Sequence, residues 1–184
     1  MTLFSHRVFR IPTARLDLIG AEAVLLRADA AGRQALAAAV AADVPTHWPP
    51  EHHDQGVIDW VLWSLEVNAP AAPWHFYYLL LREPRTLIGT CGFKGAPDAD
   101  GRVEVGYSVL EQFRCRGLAT EAVRALMQAA FEAGASEIAA ETYPSLLPSL
   151  RVMEKCGMIL VGAGSEPGTV RYGLRKSTFA SPDG

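Results

Sequence analysis

The sequence has no apolar run that could cross a bilayer. Its richest stretch, LLRADAAGRQALAAAVAAD, is broken by Arg27, Asp29 and Arg33, and a span needs roughly 20 uninterrupted apolar residues. The opening MTLFSHRVFRIPTARLDL meets Arg or His too often to build the apolar core of a secretory leader. Cysteine is scarce: Cys91, Cys115 and Cys156 stand far apart and form no C-x-x-C pair. That pattern fits reduced thiols in a cytoplasmic protein and excludes a disulfide framework. Positive charge is not in surplus either. Seventeen Lys and Arg face 20 Asp and Glu, a net −3, and residues 1–100 and 101–184 carry 8 against 11 and 9 against 9. A nucleic-acid partner would need a basic face, so none is expected. His52-His53 beside Asp54 lacks the i, i+4 spacing of a helical metal site, so no metal is expected and these read as loop histidines.

What remains suits one domain over residues 1–184: 49% hydrophobic residues allow a chain of this length to bury roughly 70% of its unfolded surface. A short strand is expected at Arg15–Ile19, then helical pattern over Glu22–Ala42 with a break at Ala31-Gly32. The three prolines of VPTHWPPEHHD make that segment a loop. Asp54 reads as the N-cap of a helix over Gln55–Asn68. Apolar, β-branched runs at Trp74–Arg82 and Thr86–Lys94 read as a hairpin, and the period-2 alternation of Arg102–Val109 as a further strand. Ala119, Ala122, Val123, Leu126, Met127, Ala130 and Phe131 make a helical stripe that Gly134 ends. Then come a strand at Glu137–Thr142, a helix at Pro148–Cys156, closing strands at Met158–Ala163 and Val170–Leu174, and a frayed tail from about residue 177. The fold class is mixed α/β.

The chemistry is concentrated in EVGYSV, LEQFRCRG and LATEAVRALMQAAF, a strand, a loop and a helix in succession. The first N–H groups of a helix lack internal partners and carry the positive end of its dipole. Gly117 and Ala119 let an anion approach that backbone, and Arg114 and Arg116 add charge. An ordinary turn with solvated arginines fits the same residues. The loop has neither the G-K-[ST] of a P-loop nor a Rossmann G-x-G-x-x-G.

Arg114-Cys115-Arg116-Gly117-Leu118-Ala119 resembles the [Q/R]-x-x-G-x-[G/A] motif of the GNAT acyl-CoA N-acyltransferases. The flanking VEVGYSV and ATEA, with SLRVMEKCGM downstream, resemble its ribosomal-protein N-terminal-alanine acetyltransferase branch, in order from about Arg15 to Leu174. The resemblance implies a mixed, mostly antiparallel sheet of about six to seven strands, splayed at the coenzyme A site and flanked by helices. It implies direct transfer of acetyl from acetyl-CoA to a primary amine, a peptide N-terminus or a small amine. Loop amides from Arg114 through Cys115, Arg116, Gly117, Leu118 and Ala119 to Thr120 would hold the pyrophosphate. Tyr107, Ser108 and Val109 would flank the pantetheine arm.

Glu104 would accept the amine proton, on a strand face that the small Gly106 and Ser108 keep open; an exposed strand carboxylate is the plain alternative. Ser149 would serve the departing thiolate, or else merely satisfy first-turn N–H groups. The tyrosine that many GNAT enzymes use as the acid would fall at Met153, so that version is absent. Trp48, His52 and Trp60 are candidates for an acceptor wall, although Trp60 and Trp63 also suit core packing. The branch has Asn three residues before the serine, where this chain has Leu146, and Leu cannot make those hydrogen bonds. That departure keeps open a non-catalytic module that senses acyl-CoA. The protein is expected to be a monomer or a homodimer.

Overall fold

The computed structural model describes residues 9–68 and 73–179. In chain order the elements are β1 (Arg10–Pro12), β2 (Leu16–Gly20), α1 (Ala23–Ala31), α2 (Arg33–Val40), α3 (Gln55–Asn68), β3 (Phe76–Leu81), β4 (Thr86–Phe93), β5 (Arg102–Val109), α4 (Leu118–Glu132), β6 (Glu137–Thr142), α5 (Leu147–Lys155), β7 (Ile159–Ala163) and β8 (Val170–Arg175). One sheet runs β1-β2-β3-β4-β5-β6-β8-β7. The eighth strand beyond the expected six to seven is β1. Its three residues include Pro12 and are too few to show a period.

Strand β3, FYYLLL, explains the sheet's place in the molecule. Tyr77 packs into a core with α4, whereas its neighbour Tyr78 packs into a second core with α1, α2 and α3. Successive strand residues point to opposite faces, so an unbroken apolar run marks a strand covered on both sides. The α4 stripe of Ala122, Val123, Leu126, Met127, Ala130 and Phe131 is buried throughout. Lys176–Thr178 form a single 3-10 turn, and the Phe179 ring lies 5.0 Å from that of Phe131. Phe179 is thus packed, Ser177 and Thr178 are exposed in the turn before it, and the rest of the expected tail lies outside the described residues.

All neighbouring strands are antiparallel except β5 and β6, and the parallel pair is joined by the long crossover that such pairs require, here α4. The β5–β6 pairing covers only Arg102–Glu104 against Glu137–Ala139. Beyond it β5 continues on β4 as far as Val109, and β6 continues on β8 as far as Thr142. The sheet therefore splits into two arms at Val105. No helix among the described residues is long and apolar enough to cross a membrane.

Candidate active site

The opening between the arms is a cleft of about 650 Å³. Its floor is β4 and the free half of β5, with Gly106, Tyr107 and Ser108 facing it. One wall is α3 with the loop before it, through His52, Val57 and Trp60; the other carries Thr142, Leu146 and Met153, with Ser165, Glu166 and Thr169 from the β7–β8 loop. A Cβ built on Gly106 meets nothing within 4 Å, so the glycine opens the floor to a ligand. Gly89 in β4 does the reverse, because a Cβ there would collide with the Ser108 carbonyl oxygen. It lets β4 and β5 approach closely beneath the cleft.

At the end of β5 the chain makes one 3-10 turn, Glu111–Phe113, and enters α4 through Gly117 at φ +76°. Cys115 is also left-handed, at φ +59°, and exposed. Among the described residues, no group accepts a hydrogen bond from the backbone N–H of Cys115, Arg116, Gly117, Leu118, Ala119 or Thr120. Six successive unpaired donors at a helix start form a site for an anion such as a phosphate.

The two loop arginines are not equivalent. Arg114 is committed, donating from Nε to the Val109 carbonyl at 2.9 Å and from Nη2 to Glu51 at 2.8 Å. Arg116 lies 5.7 Å above the Phe113 ring, with no acidic partner among the described residues. A third arginine arrives from outside the motif. Arg15 donates from Nη1 to the Arg116 carbonyl at 3.0 Å and from Nε to Glu121 at 2.7 Å, and Glu121 also accepts from Thr13 Oγ1 and the Arg15 amide. Burial works to raise the Glu121 carboxyl, but these bonds outweigh it and hold the group below its ordinary range. Sequence reading missed this pair. Nothing local signals it, since the helix dipole favours a first-turn carboxylate whatever its partner.

Glu104 is half-buried and does not itself line the cleft. Its Oε1 is ion-paired to Lys94, which does line it, and its Oε2 lies 3.9 Å from Arg171 Nη2. A second carboxylate, Glu141, lines the cleft directly. Its oxygens are filled by the Ser165 amide and hydroxyl and by Arg171, and these bonds overcome the effect of burial to hold it below its ordinary range. A base needs a lone pair free for a proton, and of these two carboxylates Glu104 has the more open oxygen.

Ser149 does not cap α5, whose N-cap Leu146 makes no side-chain bond. Instead the Tyr107 hydroxyl donates to the Ser149 carbonyl at 2.9 Å and lies 3.1 Å from its Oγ. Of the residues considered for the acceptor wall, His52 and Trp60 line the cleft and Trp48 does not. The Trp48 indole donates at 2.8 Å to Asp29, a buried carboxylate that also accepts from Tyr78 at 2.9 Å and contacts His53 Nε2 at 2.7 Å. His53, read as a loop histidine, is 3% exposed and stacks on Phe76 with ring centroids 5.4 Å apart. Trp48 and His53 thus fasten the proline-rich loop, and His52 and α3 follow from it. Leu146 lines the cleft as an apolar contact. No group of three or more His, Cys, Asp or Glu side chains among the described residues is placed to hold a metal ion.

Comparison with known proteins adds to this geometry. The family described as "Acetyltransferase (GNAT) domain" matches residues 23–159. An uncharacterized N-acetyltransferase, p20, of Bacillus licheniformis is 31% identical over 78 residues, 42% of this chain and 44% of that protein. The chain spans about half the length of the curated relatives it matches. The fold is shared with a ribosomal-protein-S5-alanine acetyltransferase from Vibrio fischeri, at a TM-score of 0.65 and 15% identity over 94% of this chain and 100% of that one. It is shared also with RimL, a ribosomal alpha-N-protein acetyltransferase solved with coenzyme A, at 0.65 and 17% over 91% and 98%.

Proposed function

Because the chain belongs to the GNAT acetyltransferase family, we propose that it moves the acetyl group of acetyl-CoA directly to a primary amine. The observation that carries this reading is the row of unpaired N–H groups from Cys115 to Thr120, set where the free arm of β5 leaves the cleft. The pyrophosphate lies on that row with Arg116 beside it, and the pantetheine arm runs back over Tyr107, Ser108 and Val109 to bring the thioester above Gly106. The coenzyme A bound to RimL supports the choice of cosubstrate.

The amine enters past His52 and Trp60 and attacks the thioester carbon. The C–N bond forms, the C–S bond breaks, and sulfur leaves with the electron pair. The amine proton passes to Glu104, directly or through water, as Lys94 shifts on its carboxylate. Ser149 donates a hydrogen bond to the departing thiolate. An α-amine, with a pKa of about 7.7–8.0, is neutral near pH 7 far more often than a lysine at about 10.4. It suits a base that is already ion-paired, which favours a peptide N-terminus or a small amine of similar basicity.

Leu146 supports a second reading, an acyl-CoA-binding module without turnover, because the polar side chain of the related branch is missing there. A thiol-release assay with acetyl-CoA over a panel of amines, peptides and aminoglycosides separates the two. Amine-stimulated release establishes the enzyme, whereas tight coenzyme A binding with no release across the panel establishes the module.

A further inference from the structure

Tyr107 stands on the part of β5 that no longer pairs with β6, and its hydroxyl crosses the split in the sheet to reach α5. A phenol has one hydrogen to give. The Ser149 carbonyl can only accept, so the 2.9 Å bond takes that hydrogen. The second contact, 3.1 Å between the Tyr107 and Ser149 hydroxyl oxygens, must then be filled by the serine hydrogen. The pair is a closed two-bond clasp in which the serine is the donor and its rotamer is fixed.

We infer that Tyr107 is a positioning residue that holds Ser149 Oγ ready to donate to the sulfur of coenzyme A. This rests on the acyl-CoA reading above and assigns the phenol a role beyond flanking the pantetheine arm. While the thioester is intact, the serine hydrogen rests on the phenol oxygen. As the C–S bond breaks, the sulfur becomes the stronger acceptor and the hydrogen swings to it. The phenol stays anchored by the carbonyl. No proton leaves the serine: the thiolate departs hydrogen-bonded and is protonated by solvent after release, while the amine proton has already gone to Glu104.

The surroundings keep the phenol in this role. Burial pushes Tyr107 up to about 12, partly offset by its bond to Ser149, so it remains protonated through the working range. The neighbouring Cys156 thiol, pushed up to about 11 by burial, is neutral there as well. The charged groups of the site, Glu104, Lys94 and Arg171, are engaged with one another.

The test needs no turnover. Coenzyme A is bound to the wild-type protein and the ionisation of its thiol is followed by the ultraviolet absorbance of the thiolate. A donor aimed at sulfur stabilises the thiolate, so the bound thiol should ionise about one pH unit below free coenzyme A. Tyr107→Phe keeps the ring and removes the clasp, and should return most of that shift when read at saturating coenzyme A. Ser149→Ala should return it as well, and the double variant should match Ser149→Ala alone, because residues acting through one another are not additive. An unshifted Tyr107→Phe, or independent and additive losses, would overturn the clasp while leaving the cofactor assignment intact. Failure of folded wild-type protein to bind coenzyme A would overturn both, and the binding curve reads that outcome separately.

Discussion

Glu104 is a half-buried carboxylate and Asp29 a buried one, and their partners separate a chemical group from a structural one. Glu104 keeps one oxygen facing only a distant Arg171, with its other oxygen on Lys94, which lines the cleft. If it accepts the amine proton, Glu104→Gln should lower turnover about 10²–10⁴-fold while coenzyme A affinity barely changes. Raising the pH should partly rescue the variant, since more acceptor then arrives neutral; full activity at neutral pH would make Glu104 an ordinary strand residue and turn the search for a base to His47, His52, His53 or water. Asp29 has no oxygen to spare. Burial works to raise its carboxyl, but the bonds from His53, Trp48 and Tyr78 win and hold it below the ordinary 3.8. Its stabilisation is therefore complete above that ordinary value and is lost as pH falls through the depressed folded one. Asp29→Asn should cost about 3 kcal/mol, or roughly 6–12 °C in Tm, and the variant should lose less further stability on acidification than the parent. Thermal melts from pH 7 down to pH 3 measure both. In the sequence Glu104 could be picked as a candidate from its small neighbours two and four residues on. Asp29 was not, because its three partners come from a loop and a strand far along the chain, and a lone acid in a helix looks solvated.

At the scale of elements, the strand, loop and helix around Gly117 were readable because each signal is local. Alternation marks β5, a stripe marks α4, and the residue between them adopts a left-handed conformation that favours glycine. The hydrogen bonds of Thr13 and Arg15 to Glu121 were not readable, since they join residues more than 100 positions apart. Nor were Lys94 and Arg171 around Glu104, which arrive after β4 and in β8, or the clasp from Tyr107 to Ser149. Periodicity reports which face of an element is buried and not what lies opposite. Gly117→Glu tests the loop itself. A carboxylate at this position would occupy phosphate space and repel the ligand, and the positive φ adds backbone strain for any side chain. The folded variant should bind coenzyme A at least about 100-fold more weakly in a calorimetric titration; unchanged affinity would place the pyrophosphate elsewhere.

The whole molecule is two sheet arms held by one short parallel joint, by α4 crossing between them, and by the core beneath. Three residue pairs, Arg102–Glu104 on Glu137–Ala139, are all that β5 and β6 share. A cofactor seated in the split would touch both arms, with its phosphates on the α4 start and its thioester end between β5 and the Thr142–Met153 wall. Anything that binds only the folded chain stabilises it by mass action, about 2.7 kcal/mol at 100 times Kd. For a chain of this size that is roughly 5–11 °C in Tm. Coenzyme A should therefore raise the melting temperature progressively, with no plateau at saturation, because the shift grows with the logarithm of free ligand. Dephosphorylated pantetheine, which lacks the pyrophosphate, should do so far less at the same concentration. The amides of Cys115 to Thr120 should also become protected from hydrogen exchange, since six donors without partners acquire acceptors. Protection confined to the β1–β5 arm would mean that the ligand sits on one arm alone. No melting shift at millimolar coenzyme A in a folded sample would remove the cofactor from the split altogether.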